Sequence, residues 1–384
     1  MKIVYLASGN VSVYDSQVLS LLDFLVEQNH EVFLVQGYKD EKERYALQKK
    51  QDNHLHIPVI WYQNVPTYPF YEIIKIRRIY EALTSIPNFE DAIIHVRGSY
   101  VGFVMKKILQ KYHLRNSLLV DIRGAFNSEY EYKISNQKGL RKLLLKIQKS
   151  YINKCWDYLF SPDNLKIGIT SVSPLINDYL QKKYPSNNHK MYFHPNISGR
   201  QFVFDEQSRK DIRNKYQIGE NDILAICATG GNSIWQKDYQ VIQKLIASGA
   251  KVINLSKVES GIDGCVTTTV PFSDMPKMLS AADVAVLWRD DDFLNNAASP
   301  SKFSEFAAMG LYVIHNKSVK VASDYIGSSG AGQLVDCVDN INLPCTLDLR
   351  KNREKWCQNG LLFFGIDNLG ASYLNVYREL RDLN

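Results

Sequence analysis

Short runs of apolar residues alternate along the chain with longer segments in which apolar residues recur every three to four positions. The short runs are typical of strands buried in a sheet, and the longer spacing is typical of amphipathic helices. We predict strands at 3–7, 31–36, 92–96, 117–122, 168–171, 191–194, 223–228, 251–255, 284–288 and 312–314. We predict helices at 14–28, 72–84, 100–112, 174–183, 206–216, 237–248, 274–281, 301–309, 348–360 and 367–382.

This alternation indicates parallel sheets covered by helices on both faces. It pauses at Pro195-Asn196 and then restarts, and a chain of 384 residues is long enough for two domains. We therefore predict an α/β fold with two doubly wound, Rossmann-like domains whose parallel sheets face each other across a cleft. The predicted domains are residues 1–195 and 196–366.

The composition excludes several classes of protein. Hydrophobic residues make up 45% of the chain and charged residues 22%, which is typical of a globular protein and not of a disordered one. No run approaches 18 apolar residues, so no transmembrane helix is expected, and the first residues lack the layout of a signal peptide. The six cysteines are widely spaced without a CxxC pair, which favours reduced thiols over disulfides or a zinc site.

The modest net charge of +6 is unevenly distributed. Residues 1–200 carry 27 Lys and Arg against 18 Asp and Glu, whereas the remaining 184 residues carry 19 against 22. The window 133–156 contains seven basic residues and no acidic one. Within 138–152, Leu140, Leu144, Ile147 and Tyr151 form one helical face and the lysines another. Such a helix either binds an anionic membrane surface or packs its apolar face on the core.

Loops at the carboxyl ends of the strands are the expected place for ligand chemistry. The segment after the first strand lacks GxGxxG, and the chain contains no P-loop, HExxH or GxSxG motif. These absences disfavour dinucleotide-dependent enzymes, P-loop nucleotidases, zinc proteases and serine hydrolases. The loops are instead rich in Gly, Ser, Arg and Lys.

The most informative segment, residues 299–314, reads S-P-S-K-F-S-E-F-A-A-M-G-L-Y-V-I. Ser299 is a favourable N-cap, and Pro300 suits the first position of a helix. The amides of Ser301 and Lys302 would then point to the end of the sheet, as an anion site requires. Glu305, one turn further, is placed to accept hydrogen bonds from a ribose diol.

This segment resembles the donor-binding motif S-P-[ST]-K-x-x-E-[YF]-x-A-x-G-x-P-V-I of family 4 glycosyltransferases, a retaining, two-domain GT-B class. Tyr312 stands where that motif has a proline. Further segments resemble the family in the same order along the chain: D-A-I-I-H-V-R-G at 91–98, D-I-R-G at 121–124 with Glu129, residues 168–180, H-P-N at 194–196, A-T-G-G at 228–231 with Trp235 and Lys237, 270–276 and 281–284. The resemblance also implies that a C-terminal helix, at about 367–384, packs back on the first domain.

The resemblance assigns a role to each candidate site residue. Those implied to bind the donor are Gly9, Asn10, Gly230, Gly231, Lys237, Phe272, Ser301, Lys302 and Glu305. Those implied to be catalytic, facing the acceptor or the transferred sugar, are His95, Arg97, Asp121, Arg123 and Glu129. The implied reaction moves a sugar from a UDP- or GDP-sugar to a glycan acceptor that is lipid-linked, with retention of anomeric configuration and without a metal or other cofactor.

The implied setting is bacterial surface polysaccharide biosynthesis. We expect a cytoplasmic protein held at the inner face of the plasma membrane by the basic helix 138–152. Nucleic acid is not an expected partner, since no nucleic-acid-binding motif is present.

Two departures from the family pattern keep other functions open. Ala297 stands where the family has a first glutamate, and Asp290, Asp291 or Asp292 is a candidate substitute. The usual arginine near the glycine turn is replaced by Asn232 and Ser233, which shifts phosphate neutralisation to Lys237 and Lys302. The alternatives are a nucleotide-sugar 2-epimerase on the same fold and a non-catalytic, glycosyltransferase-like partner subunit.

Several candidate residues also have a simpler structural interpretation. His95 could be a hydrogen-bonded structural histidine, and Asp121 with Arg123 could be a surface ion pair. Glu305 could be an ordinary helix glutamate. The aromatic residues at 61–71 could pack under a long loop or form a sugar platform.

Overall fold

A computed structural model describes residues 1–9, 13–52, 54, 56–124, 126–228 and 239–382, without the side chains of 126–128. The chain divides into two compact units. Unit 1 comprises Met1–Pro195 and Leu369–Asn384, and unit 2 comprises Asn196–Asn368.

Unit 1 is built on a parallel seven-stranded sheet of order β3-β2-β1-β4-β5-β6-β7. Its strands are β1 (Lys2–Ser8), β2 (Glu31–Tyr38), β3 (Val59–Gln63), β4 (Ile93–Arg97), β5 (Leu118–Ile122), β6 (Ile167–Ser171) and β7 (Lys190–Phe193). Its helices before the second unit are α1 (Ser20–Glu27), α2 (Glu41–Gln51), α3 (Glu72–Thr84), α4 (Ser99–Lys111), α5 (Phe126–Ser135), α6 (Gly139–Leu159) and α7 (Pro174–Lys183). A π-helical turn, Asp15–Leu19, leads directly into α1.

Unit 2 is built on a parallel six-stranded sheet of order β10-β9-β8-β11-β12-β13. Its strands are β8 (Leu224–Cys227), β9 (Lys251–Leu255), β10 (Cys265–Thr268), β11 (Val284–Leu287), β12 (Tyr312–His315) and β13 (Gly332–Leu334). Its helices are α8 (Glu206–Lys215), α9 (Tyr239–Ala247), α10 (Met275–Ala281), α11 (Phe293–Asn296), α12 (Ser301–Ala308), α13 (Lys320–Ser329) and α14 (Thr346–Phe364). The chain then enters α15 (Ile366–Asp382), most of which belongs to unit 1.

The central strands form the core because their side chains are apolar on both faces. Leu6 pairs with Val35 on one side and with Val96 on the other, and all three are fully buried. Helices on both faces of a parallel sheet require such strands. The predicted α/β class with two doubly wound parallel sheets is confirmed.

The edge strands β3, β10 and β13 were not predicted. Their side chains are mostly half-buried, and β10 has the sequence C-V-T-T. These edge strands have one neighbour and less cover, and they lack the continuous apolar run that predicts the central strands. The fourth edge strand, β7, keeps the run M-Y-F and was predicted at 191–194. The predicted helix at 14–28 is in fact a π-helical turn followed by α1.

Two glycines allow α12 and α14 to lie close together in unit 2. A Cβ on Gly310 would lie 2.3 Å from the carbonyl oxygen of Arg353, and one on Gly360 would lie 2.0 Å from that of Ala307. Gly310 also has a φ of +64°, which favours glycine. These contacts hold α12, the helix that carries the 299–314 motif, against the body of unit 2.

No helix in the described ranges has the length and apolar character needed to cross a bilayer.

A partly buried cluster of charged residues joins the π-helical turn to the loop after α2. His54 Nδ1 lies 2.5 Å from Asp23 Oδ2, and Lys50 forms an ion pair with Asp15. Burial lowers the pKa of His54, but its hydrogen bonds and charge interactions with Asp15 and Asp23 outweigh burial and raise the pKa to about 9.

We predict that His54 contributes to stability in a pH-dependent way. Its folded pKa lies above the value of about 6.5 expected in the unfolded chain, so its contribution is complete below that pH and is lost as the pH rises through 9. The difference in Tm between the wild type and His54→Gln should therefore shrink as the pH is raised from 6 to 10, by scanning calorimetry. His56→Gln, an exposed position two residues away, is the control. A difference that does not change with pH would contradict the assignment.

Candidate functional site

The candidate catalytic residues of unit 1 lie at the carboxyl ends of two adjacent strands. Arg97 on β4 pairs in register with Asp121 on β5. His95 and Asp121 have no exposed surface. Arg123 Nε donates to Asp121 Oδ2 at 2.6 Å. The structure thus brings His95, Arg97, Asp121 and Arg123 together, and the interpretation of Asp121 and Arg123 as a surface ion pair is wrong.

Helix α15 contributes polar side chains to the same cluster. His95 Nδ1 and the Tyr377 hydroxyl are 2.7 Å apart, and Arg123 Nη2 donates to the Tyr373 hydroxyl at 3.2 Å. Ser372 Oγ lies 2.9 Å from Nε2 of His194, whose ring stacks on Tyr373. Sequence reasoning missed these α15 residues. Their signal was weak: the two tyrosines occupy positions i and i+4 on the apolar face of the last helix.

Asp121 is the anionic centre of this cluster. Burial raises the pKa of its carboxyl, but Arg123, His95 and Arg97 outweigh burial and hold the pKa well below its usual range. Burial lowers the pKa of His95, against the opposing effect of Asp121. Asp121 therefore stays ionised at neutral pH and fixes Arg123 at the sheet edge.

Arg97 and Arg123 are the members of the cluster that are partly open to solvent. Arg97 Nη1 is buried and has no hydrogen-bond partner among the described residues. The chemistry that this edge presents outward is thus that of guanidinium groups, which suit anionic or polar ligands.

Gly9 and Glu129 lie near the same edge. Gly9 follows β1 with a φ of +66° and donates its N–H to the carbonyl of Gly37. The carboxylate of Glu129 lies over Gly124, 3.1 Å from the position that a Cβ there would occupy. Asn10, the other candidate after β1, lies outside the described residues.

A buried lysine is a further feature that sequence reasoning missed. Lys75 Nζ donates to Asn64 Oδ1 at 2.5 Å, and Asn64 Nδ2 donates to Ser8 Oγ at 2.7 Å, at the end of β1. Lys75 is 2% exposed, and burial lowers its pKa to about 8. The available signal was its position four residues before Ile79, on the apolar face of α3.

We predict that Asp121→Asn destabilises unit 1 by about 3–5 kcal/mol, because it leaves the guanidinium of Arg123 buried without its counter-ion. The wild-type contribution is present above the unfolded pKa of about 3.9 and is lost as the pH falls through the lower folded value. Hydrogen exchange at pH 7 should show faster exchange in 366–382 and in β5. Asp336→Asn, which removes an exposed ion pair with Lys317, should cost less than about 1 kcal/mol. Equal effects of the two substitutions would sink the prediction.

The remaining described candidates lie in unit 2, at the start of α12. The helix begins at Ser301, as predicted from the apolar spacing, but its N-cap is Pro300 and not Ser299. Ser299 Oγ accepts a hydrogen bond from the Asn196 amide at 2.9 Å instead of capping the helix. The amides of Ser301 and Lys302 belong to the first turn and have no acceptor within the helix.

Glu305 is buried within α12. Its side chain is 2% exposed, and its carboxylate accepts a hydrogen bond from Lys302 Nζ at 2.7 Å. Lys302 Nζ also lies 5.9 Å from the centre of the half-buried Phe272 ring. Burial raises the pKa of Glu305 despite the opposing charge of Lys302. Phe272, Lys302 and Glu305 therefore lie together, and the carboxylate of Glu305 is buried rather than exposed on the surface of its helix.

Three other donor-site candidates, Gly230, Gly231 and Lys237, lie outside the described residues, as do Asn232 and Ser233. Ala297 is fully buried. Two of the acids proposed to substitute for the missing glutamate have structural partners. Asp292 caps α11 by accepting from Asn295 N at 2.8 Å, and Asp291 accepts from Asn296 Nδ2 at 2.9 Å.

No protein-family model and no curated protein matches the chain. Solved structures match its fold. A glycosyltransferase from Rickettsia africae aligns over 100% of this chain and 99% of its own, with a TM-score of 0.69 and 12% identity. Anabaena HepE, in complex with UDP-glucose, aligns over 99% of this chain and 100% of its own, with a TM-score of 0.64 and 11% identity. WaaG, a glycosyltransferase involved in lipopolysaccharide biosynthesis, aligns over 100% of this chain and 96% of its own, with a TM-score of 0.57 and 12% identity. At such identities the likeness establishes a shared fold, that of GT-B glycosyltransferases.

Proposed function

We propose that this chain is a glycosyltransferase that moves a sugar from a nucleotide-sugar to a glycan acceptor. The observation that carries the proposal is the buried carboxylate of Glu305, beside Lys302 and the first turn of α12, at the ligand-binding edge of a doubly wound sheet. The shared fold with glycosyltransferases supports it, and the complex of HepE with UDP-glucose supports a nucleotide-sugar as donor.

The donor would lie at the carboxyl edge of unit 2. The carboxylate of Glu305 accepts hydrogen bonds from the ribose hydroxyls, and Phe272 contacts the base. The diphosphate is bound by Lys302, by the amides of Ser301 and Lys302, and by Gly230, Gly231 and Lys237. UDP and GDP are both suitable carriers.

The proposed reaction proceeds with retention of anomeric configuration and without a metal ion. The bond between the anomeric carbon and the β-phosphate oxygen breaks, the acceptor oxygen bonds to that carbon on the same face, and the acceptor proton passes to the departing phosphate. Negative charge grows on the diphosphate, so fixed cations and amides accelerate the step, each by about 10²–10³.

The acceptor side is assigned to unit 1. Arg97 and Arg123 are the cluster members open to solvent, and they would contact the acceptor or the transferred sugar together with Glu129. His95 and Asp121 are buried beneath α15. They would act on substrate indirectly, because Asp121 holds Arg123 and His95 Nε2 lies 3.7 Å from Asp121 Oδ2.

We further propose that the acceptor is lipid-linked and that α6 binds the membrane surface. The apolar face of α6 does not pack on the core in the first half of the helix. Its exposed fraction is 71% at Leu140, 41% at Leu144 and 45% at Ile147. Leu143, adjacent to this face, is 54% exposed. Basic residues flank these leucines without any acid between 133 and 156, which is the composition of a helix that lies on anionic lipid. This setting fits assembly of a bacterial surface polysaccharide at the inner face of the plasma membrane.

We predict that Glu305→Gln lowers donor binding and sugar transfer by about 10- to 100-fold, the effect of losing hydrogen bonds to a charged group. The same substitution should leave the Tm unchanged or raise it, because burial disfavours the charged form of Glu305 in the folded chain. Nucleotide titration, donor turnover and scanning calorimetry measure the three effects. Glu354→Gln, an exposed glutamate on α14, is the control. Normal turnover in Glu305→Gln, or a large loss of stability, would show that the carboxylate is structural.

We predict that replacing Arg141, Lys142 and Lys146 by glutamate weakens binding to vesicles containing phosphatidylglycerol by at least about 100-fold, since each basic residue contributes ~1 kcal/mol near anionic lipid. Replacing Leu140, Leu144 and Ile147 by glutamine should also release the protein. Vesicle flotation measures both effects. The matched control is glutamine at Leu347 and Leu362, which are exposed on α14. Equal flotation of the wild type and both α6 variants would remove α6 from the proposal.

A further inference from the structure

Arg289 lies at the point in the unit 2 sheet where the strand order reverses. It is the second residue after β11, which stands between β8 and β12. The connection after β8 leads through α9 to β9 on one side, and the connection after β11 leads through α12 to β12 on the other. Ligands of doubly wound sheets bind at this crevice.

The backbone of Arg289 is fixed by a side chain from the neighbouring strand end. Its N–H donates to Asn316 Oδ1 at 3.3 Å, and its carbonyl accepts from Asn316 Nδ2 at 2.6 Å. Ser318 Oγ in turn donates to Asn316 Oδ1 at 2.7 Å. The start of the side chain is therefore held in place before any ligand arrives.

The guanidinium of Arg289 has few hydrogen-bond acceptors among the described residues. Nη1 donates a long hydrogen bond of 3.5 Å to Asn295 Oδ1, and Nε is buried without a hydrogen-bond partner in the described part of the chain. Burial lowers the pKa of Arg289 to about 10, against the weaker opposing charge of Asp292. Asp292 forms no ion pair with it and is occupied in capping α11.

Arg209, a structural arginine in the same unit, has hydrogen-bond partners that Arg289 lacks. Arg209 Nη2 donates to Asp283 Oδ1 at 2.6 Å, and its Nη1 donates to the carbonyl of Ala281 at 2.9 Å. There, buried charge is matched by a carboxylate and by carbonyls. Arg289 is half-buried and its Nε is buried, but this match is missing, and a partly buried cation without a counter-ion is unfavourable unless an anion binds.

We infer that Arg289 binds the diphosphate of the nucleotide donor, as an additional cation of the donor site. The inference rests on the proposed function. A guanidinium fork matches two phosphate oxygens at once. It would supply the cation that the sequence lacks at Asn232 and Ser233, near the glycine turn.

The test is calorimetric titration of the full chain with a nucleoside and with its 5′-diphosphate, using the base that the wild type binds best among uridine, guanosine, adenosine, cytidine and thymidine. Arg289→Met should weaken diphosphate binding by about 10- to 100-fold and leave nucleoside binding unchanged. Arg289→Lys keeps the charge but not the planar fork of donors, so its diphosphate affinity should lie between those of the wild type and Arg289→Met. It replaces the methionine variant if that variant fails to fold. Arg350→Met, which removes an arginine paired with Glu220 on the opposite side of the unit, should bind both ligands as the wild type does.

Two results would overturn the inference while leaving the proposed function in place. One is diphosphate affinity in Arg289→Met and Arg289→Lys within about threefold of the wild type, a change too small for a lost hydrogen bond to a charged group. The other is an equal loss for the nucleoside and the diphosphate. Failure of the wild type to bind any of the five diphosphates would instead overturn the proposed function, and the inference with it.

Discussion

Glu305 carries a carboxylate that is 2% exposed and is held by the ammonium of Lys302 at 2.7 Å. Burial of this charge is unfavourable, as the raised pKa of Glu305 records. The surrounding structure keeps it there nevertheless: α12 is pressed against α14 at Gly310 and Gly360, so the helix cannot turn its acidic residue out to water. Arg289, at the same edge of the sheet, is a half-buried cation whose Nε has no hydrogen-bond partner in the described part of the chain. The proposed donor would offer ribose hydroxyl groups to Glu305 and phosphate to Arg289.

Unit 1 uses buried charge differently. Asp121 is fully buried, but Arg123 matches its charge, and the tyrosines of α15 form hydrogen bonds with Arg123 and His95. This cluster ties the end of the chain to the centre of the first sheet, so its first role is to fix α15 in unit 1. The proposed role toward the acceptor falls to Arg97 and Arg123, the members of the cluster that are partly open to solvent.

The sequence predicted the central strands of both sheets and the start of α12, because continuous apolar runs and the S-P-S-K-x-x-E pattern are local signals. It did not predict the edge strands β3, β10 and β13, whose side chains are mixed. It also could not predict the cover of His95, since the Tyr377 hydroxyl that bonds to it comes from 282 residues away. The burial of Lys75 and Glu305 depends on the packing around them, and a charged residue next to apolar ones was only a weak indication. Side-chain partners were therefore the part of the site that required the structure.

The central claim is that Glu305 binds the ribose hydroxyls of the donor. Its most direct test is a double-mutant cycle that measures the coupling between Glu305 and these hydroxyls. The affinities of the wild type and Glu305→Gln are measured by calorimetry for a nucleoside diphosphate and for its 2′,3′-dideoxy analogue. If the buried carboxylate binds the ribose hydroxyls, removing them weakens binding to the wild type by about 10-fold or more and has little further effect on Glu305→Gln. Equal losses in both proteins, or equal affinities of the wild type for the two ligands, would contradict the claim that this edge of unit 2 is a nucleotide-sugar site.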